Sequence, residues 1–247
     1  MSLPTTPSNP APAVPPSRPV TAVLWDIDGT LSTTGGFSSG AFLDAVRDVA
    51  GTRPDGRDLD LGGRIDAEIA TTLLLSVDAD PSLVPDVLDR LRTIVMSRID
   101  EFRTKVAPLP GVHATLARLA DAGVHQTVVT GNMESIGRLK LQFAGLVPFI
   151  DPDLGGFGDL GENRAAVAAL AVDRLVAAGW VHNLDQCWIV GDTPRDLACA
   201  RAIGVRCALV ATGRHSLASM AGLGADIVIP GLDQIDALLP LWQLPHA

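Results

Sequence analysis

Two carboxylates, Asp26 and Asp28, stand two residues apart at the end of an apolar run over residues 20–25, and Gly29 and Thr30 follow at once. An apolar run of that length reads as a buried strand, and the glycine marks a turn at its end. Acids at the edge of a buried strand are costly unless a cation or hydrogen bonds satisfy them. A divalent metal ion answers that need, so catalysis at a metal is the first reading of this segment. Two further segments repeat the form. Val129 leads into Thr130, Gly131 and Asn132, and Val190 leads into Gly191, Asp192, Thr193, Pro194, Arg195 and Asp196. Together the three segments offer a nucleophile, a proton donor, a hydroxyl with backbone N–H groups, and further acids for a cation.

Residues so far apart in the chain need a fold that gathers them. Apolar runs at 20–25, 126–129, 187–190, 206–210 and 226–229 read as strands, and the patterns at 111–122, 133–144, 162–178 and 194–203 read as helices. This alternation predicts an α/β, Rossmann-like core: a parallel sheet with helices on both faces. In such sheets functional residues collect at the C-terminal edge of the strands. Between the first strand and Gly111 the pattern is different. Residues 37–50, 64–77 and 81–102 read as helices with no strand among them, which predicts a small helical cap inserted after the first strand. The expected division is a core of residues 20–33 and 109–247, a cap of residues 34–108, and a Pro-rich, disordered tail of residues 1–19.

Composition narrows the function classes. Hydrophobic residues make up 47% of the 247 and charged residues 19%, enough for a substantial globular core. The formal net charge of -9 disfavours nucleic acid as a partner. No apolar run is long enough to span a bilayer, and the N-terminus does not read as a secretory signal. Cys187, Cys199 and Cys207 form no CxxC pair and lie in apolar segments. Buried free thiols in a reducing cytoplasm are the expectation. The five histidines, His113, His125, His182, His215 and His246, have no ligand spacing.

The D-x-D-G-T run at Asp26–Thr30, the threonine at 130 and the G-D-x-x-x-D run from Gly191 to Asp196 resemble the motifs of the haloacid dehalogenase superfamily, in its capped phosphatase branch. The resemblance spans nearly everything from Val20 to Leu239. It implies that Asp26 is the nucleophile, forming an aspartyl-phosphate; a carboxylate is already ionised at neutral pH and needs no activating base. It implies that Asp28 is the general acid and base, a role that requires surroundings which raise its pKa. Thr130, with Gly131 and Asn132, would bind phosphoryl oxygens, helped by free N–H groups at the start of the following helix. Magnesium would be held by Asp26, by the backbone carbonyl of Asp28 and by Asp192, with Asp196 in support; it takes oxygen ligands and keeps several waters.

The family also uses one basic residue to offset the charge of nucleophile and phosphate. Arg164 is favoured, because it lies between the second and last motifs, although many relatives carry lysine there. Lys140 is the other candidate, expected to face solvent or pack its stem. In the cap, Gly62-Gly63-Arg64-Ile65-Asp66 is a glycine-rich loop entering a helix. Similar loops in capped relatives dip into the active site, where Arg64 can meet an anionic substrate.

Asp28 argues against dehalogenation, since the dehalogenases of the superfamily lack this second aspartate. Phosphonate hydrolysis in relatives uses a cap lysine, and the one lysine before Gly111 is Lys105, at the expected hinge. The resemblance therefore implies a magnesium-dependent phosphate-monoester hydrolase for a small soluble ester, phosphoglycolate among the substrates it suggests. A phosphosugar mutase uses the same aspartates and is the alternative. A receiver-like module that only accepts a phosphoryl group is a third reading, but it needs neither Asp28 nor a cap.

Overall fold

A computed structural model describes residues 18–57 and 59–244; residues 1–17 of the expected tail, and His246, lie outside them. In chain order the elements are β1 (Ala22–Trp25), β2 (Ser32–Thr33), α1 (Phe37–Ala50), α2 (Asp66–Leu75), α3 (Val84–Ser97), α4 (Ile99–Lys105), β3 (Ala107–Pro108), α5 (Val112–Asp121), β4 (His125–Val128), α6 (Glu134–Phe143), α7 (Arg164–Ala177), β5 (Cys187–Gly191), α8 (Pro194–Ile203), β6 (Arg206–Val210), α9 (Leu217–Ala221), β7 (Ile227–Ile229) and α10 (Leu239–Trp242).

Five strands form one parallel sheet in the order β4-β1-β5-β6-β7. The runs of β1, β5 and β7, and of β6 after Arg206, are apolar because both faces are covered; edge strand β4 instead carries buried Gln126 and Thr127. Alternate residues serve different cores: Val23, Trp25, Trp188 and Val190 pack with α5 and α6, while Ala22, Leu24, Cys187 and Ile189 pack with α7 and α8. All three cysteines are buried free thiols. Within the strands the buried polar side chains Gln126 and Thr127 of β4 are satisfied by Trp25, Leu116 O and Asp151 O, and the acids stand at the strand ends. β1 lies at the second position from one edge with β5 beside it, so the residues that follow β1, β4 and β5 converge.

Helices α1 to α4 fill the stretch between β2 and β3, which pair antiparallel as a two-residue ribbon. Neither short strand shows in the hydrophobic pattern. The helix expected over 81–102 is instead a short turn at Pro81–Leu83, then α3, then α4. The break falls at Arg98, whose φ of -116° and ψ of 32° interrupt the helix without a glycine or proline to announce it. α3 packs against α1 and α2 and also touches α6, so the inserted helices rest over the end of the sheet that carries the polar segments. No helix among the described residues is long and apolar enough to cross a membrane.

Candidate active site

Asp26 follows β1 directly and is almost fully buried, at 4% exposure. Its carboxylate accepts a hydrogen bond from Arg164 Nη2 at 2.8 Å. The same Nη2 donates to Asp196 Oδ1, so one guanidinium joins the end of β1 to the start of α8. Arg164 stands at the first position of α7, a helix whose preceding Asn163 side chain accepts the Ala166 N–H at 3.0 Å. Asp196 is held from its other side by the N–H and hydroxyl of Thr193, at 2.9 and 2.7 Å, in the manner of a helix-capping acid. Both of its oxygens are thus engaged by the protein.

Asp28 is paired with a different cation. Lys140 Nζ lies 2.5 Å from Asp28 Oδ2 and 3.0 Å from Asn132 Oδ1. Lys140 is 1% exposed; of the two expectations, that it faces solvent or packs its stem, the first fails, and its charged head is buried along with the stem. The reason is its place on α6: it shares the inward face with Ile136, Gly137 and Leu141. A lysine four residues after Ile136 lies on the apolar stripe, and that spacing was the signal. Two cations, rather than one, therefore reach the two acids.

Asp192 sits 5% exposed at the end of β5 and accepts from the Thr30 hydroxyl at 3.2 Å. Gly29, at φ +83°, makes room for it: a Cβ there would lie 2.5 Å from Asp192 Oδ2. The glycine of the first motif is thus demanded by backbone conformation and by the carboxylate opposite.

The Thr130 turn differs from expectation in one respect. The N–H groups at the start of α6 are not all free: Met133 N–H donates to Asp66 Oδ2 at 2.7 Å, and Glu134 N–H to Asp159 Oδ1 at 2.9 Å. Asn132 N–H donates to the Thr130 hydroxyl at 3.3 Å. Gly131 N–H, at the cavity wall, has no acceptor among the described residues. Asp66, which ends the glycine-rich loop and has no role of its own in the sequence pattern, comes from the inserted helices. It is 2% exposed, and its own N–H donates to Gly131 O at 2.8 Å. The acid after Gly62-Gly63-Arg64-Ile65 is thus a clasp between α2 and the Thr130–Met133 turn. Arg64 is half-buried beside it, with Nε on Asp60 O at 2.8 Å.

One cavity of about 570 Å³ is lined by Asp26, Asp28, Arg64, Asp66, Thr130, Gly131, Asn132, Lys140, Arg164 and Asp192. Asp196 stands behind it. Arg214 and His215, also unanticipated, lie on its wall after β6.

A family model described as haloacid dehalogenase-like hydrolase matches residues 23–201. The chain belongs to that family. Among haloacid dehalogenase-like relatives, it is 29% identical over 236 residues to a plasmid-encoded phosphoglycolate phosphatase of Cupriavidus necator, covering 94% of this chain and 98% of that protein. It superposes with a TM-score of 0.73 on the crystal structure of a predicted phosphatase from Clostridium acetobutylicum, at 18% identity, covering 90% of this chain and 99% of the other. A candidate β-phosphoglucomutase of Bacteroides vulgatus superposes at 0.68 with 17% identity, over 91% and 89% of the two chains. The protein is a hydrolase of the phosphatase kind within this family.

The family generally uses magnesium, and the residues present fit a hard divalent cation. Carboxylate oxygens of Asp26, Asp192 and Asp196 all lie within 4.8 Å of one another. Burial pushes Asp26 up to about 7 against the pull of Arg164, and burial with the neighbouring Asp26 pushes Asp192 up to about 8. The cluster is short of positive charge, and its donors are all oxygen. Because Asp196 is already spent on Arg164 and Thr193, Asp26 and Asp192 are the carboxylates available to an ion.

Proposed function

We propose that this phosphatase hydrolyses a small, soluble phosphate monoester in two steps through an aspartyl-phosphate on Asp26, with magnesium as cofactor. The observation that carries the reading is that Asp26 and Asp28 line one cavity but are paired to different cations, Arg164 and Lys140. In the first step an Asp26 oxygen attacks phosphorus, the bond to the ester oxygen breaks, and the departing alcohol takes a proton from Asp28. In the second, Asp28 takes a proton from water, the water oxygen attacks phosphorus, and the bond to Asp26 breaks to release phosphate.

Arg164 orients the Asp26 carboxylate and keeps it charged for attack. Lys140 holds Asp28 in place for proton transfer. The Thr130 hydroxyl and the Gly131 N–H are donors for phosphoryl oxygens as charge develops on them. Asp26, the Asp28 carbonyl and Asp192 would hold the magnesium ion, with Asp196 supporting them. When bound, that ion supplies positive charge against the carboxylates and the phosphoryl group. Helices α1 to α4 act as a cap over the site, excluding bulk water and macromolecules during transfer.

A phosphosugar mutase would use the same aspartates, and fold likeness alone does not separate the two. A phosphate-release screen against metabolite phosphates, with and without magnesium, tests the reading. Magnesium-dependent free phosphate is expected. Isomerised sugar phosphate without net phosphate release, or turnover indifferent to chelator, would contradict it.

A further inference from the structure

The cavity does not stop at the carboxylates. It continues into the inserted helices, where its walls are Phe42 and Leu43 of α1, Ile69 and Leu73 of α2, and Leu91 and Val95 of α3. These side chains form the inner surface of the cap. Ser38 and Ser39 supply hydroxyls on the way in, but among the described residues no cation belongs to the α1–α2–α3 part of the wall. At about 570 Å³ the space is in the range of sites that enclose a whole ligand, well beyond a phosphoryl group with a short stub.

The charges of the site point the same way. Among the described residues that line it, six are acids (Asp26, Asp28, Asp55, Asp60, Asp66 and Asp192), against five arginine or lysine cations. Three of those cations are paired to carboxylates, and the other two, Arg64 and Arg214, do not belong to α1, α2 or α3. Arg164 serves Asp26 and Asp196, Lys140 serves Asp28 and Asn132, Arg57 serves Asp55 at 2.6 Å, and Arg64 Nε donates to Asp60 O. Arg214 is exposed, in the loop after β6. A second anionic group on the substrate, such as the carboxylate of a hydroxy acid, would gain no cation from the α1–α2–α3 part of the chamber, and entering it would be strongly unfavourable. An uncharged alcohol with an apolar body would instead displace water from that chamber.

We propose that the leaving group of this enzyme is an uncharged alcohol with a bulky, largely apolar body that occupies the chamber between α1, α2 and α3, and not a short hydroxy acid such as glycolate. The inference rests on the phosphatase reading above and narrows its substrate class.

The test is a series of primary alkyl phosphates whose alcohols differ little in acidity, ethyl, butyl and hexyl, run beside 2-phosphoglycolate under one magnesium condition. kcat/KM should rise at least tenfold from ethyl to hexyl phosphate, and hexyl phosphate should exceed 2-phosphoglycolate. Replacing half-buried Leu43 by a larger ring (Leu43→Trp) should collapse the hexyl-to-ethyl ratio by filling the chamber. Leu43→Ser should lower the same ratio by making its wall polar, and it serves if the tryptophan variant does not fold. A flat series, or a preference for 2-phosphoglycolate, overturns this inference while leaving the phosphatase reading intact. Phosphate release from none of the four esters, with release from other phosphates in the metabolite screen, overturns this inference alone; release from no ester in either set overturns both.

Discussion

Lys140 Nζ stands 2.5 Å from Asp28 Oδ2, although the lysine is almost wholly buried and 42% of the Asp28 side chain is exposed. The cation thus reaches the acid from inside the protein, leaving the other side of the carboxyl open to the cavity. Truncating it in Lys140→Met should leave Asp28 hydrated but badly placed. We expect kcat to fall about 10²-fold, in the range attributed to a positioned acid–base group, with KM changed much less. Steady-state kinetics on any turned-over ester read this directly. A larger effect on KM than on kcat would make Lys140 a substrate-binding group instead.

Arg164 has a different task, and its loss should have a different signature. Its side chain is 8% exposed and its Nη2 serves Asp26 and Asp196 together. Removing one member of a buried ion pair leaves uncompensated charge and typically costs about 3–5 kcal/mol. Arg164→Met should therefore lower the melting temperature as well as activity, while Lys140→Met should affect activity far more than stability. Calorimetry of the two variants without metal makes the comparison. Equal melting temperatures for both would contradict it.

Asp66 supplies a pH test that does not depend on catalysis. Burial pushes its carboxyl up from an ordinary 3.8 to about 7, against the pull of the Met133 N–H. Among the described residues its buried Oδ1 accepts no hydrogen bond. Between those two values the folded protein keeps a proton that the unfolded chain has released. The stability this group confers is thus complete below about pH 4 and is lost as pH rises through about 7, by at most ~4 kcal/mol. Asp66→Asn has no such proton to lose. Denaturant unfolding of both proteins across this window should show the wild type declining relative to the variant as pH rises. Parallel curves would count against it.

The contact between the inserted helices and the Thr130 turn leaves no room at Gly131. A Cβ there would lie 1.9 Å from Arg64 O. Gly131→Ala must push the Arg64–Asp66 segment away from the turn. Because displacements near 1 Å can cost about 10²-fold in rate, kcat/KM should fall by that order. The variant should still fold, since the clash is with a loop rather than the sheet. Activity within twofold of wild type would mean that this contact does not govern the site.

Much of this architecture is legible in the residues themselves. The sheet strands show because both faces are buried, so Val23 and Leu24 are equally apolar although they point to opposite cores. Asp26, Thr130 and Asp192 stand out because each interrupts such a run at its end. Two kinds of feature stay hidden. The β2–β3 ribbon is too short for any periodicity and pairs residues on either side of the whole helical insertion. Asp66 looks like an ordinary first-turn helix acid, with Glu68 three residues after Ile65 in a capping arrangement. Only tertiary packing brings it to Met133. Lys140 lies between these cases. Its spacing places it on the buried face, but a lysine's usual preference for solvent outweighed the pattern.

The central claim is that phosphorus is transferred to Asp26. Acid quenching during turnover, borohydride reduction and peptide mass spectrometry test it, because reduction converts an aspartyl-phosphate to homoserine. The account predicts homoserine at position 26 in the wild type, dependent on substrate, together with loss of activity in Asp26→Asn. Turnover with no modified residue at 26, or an Asp26→Asn protein that keeps full activity, would contradict it.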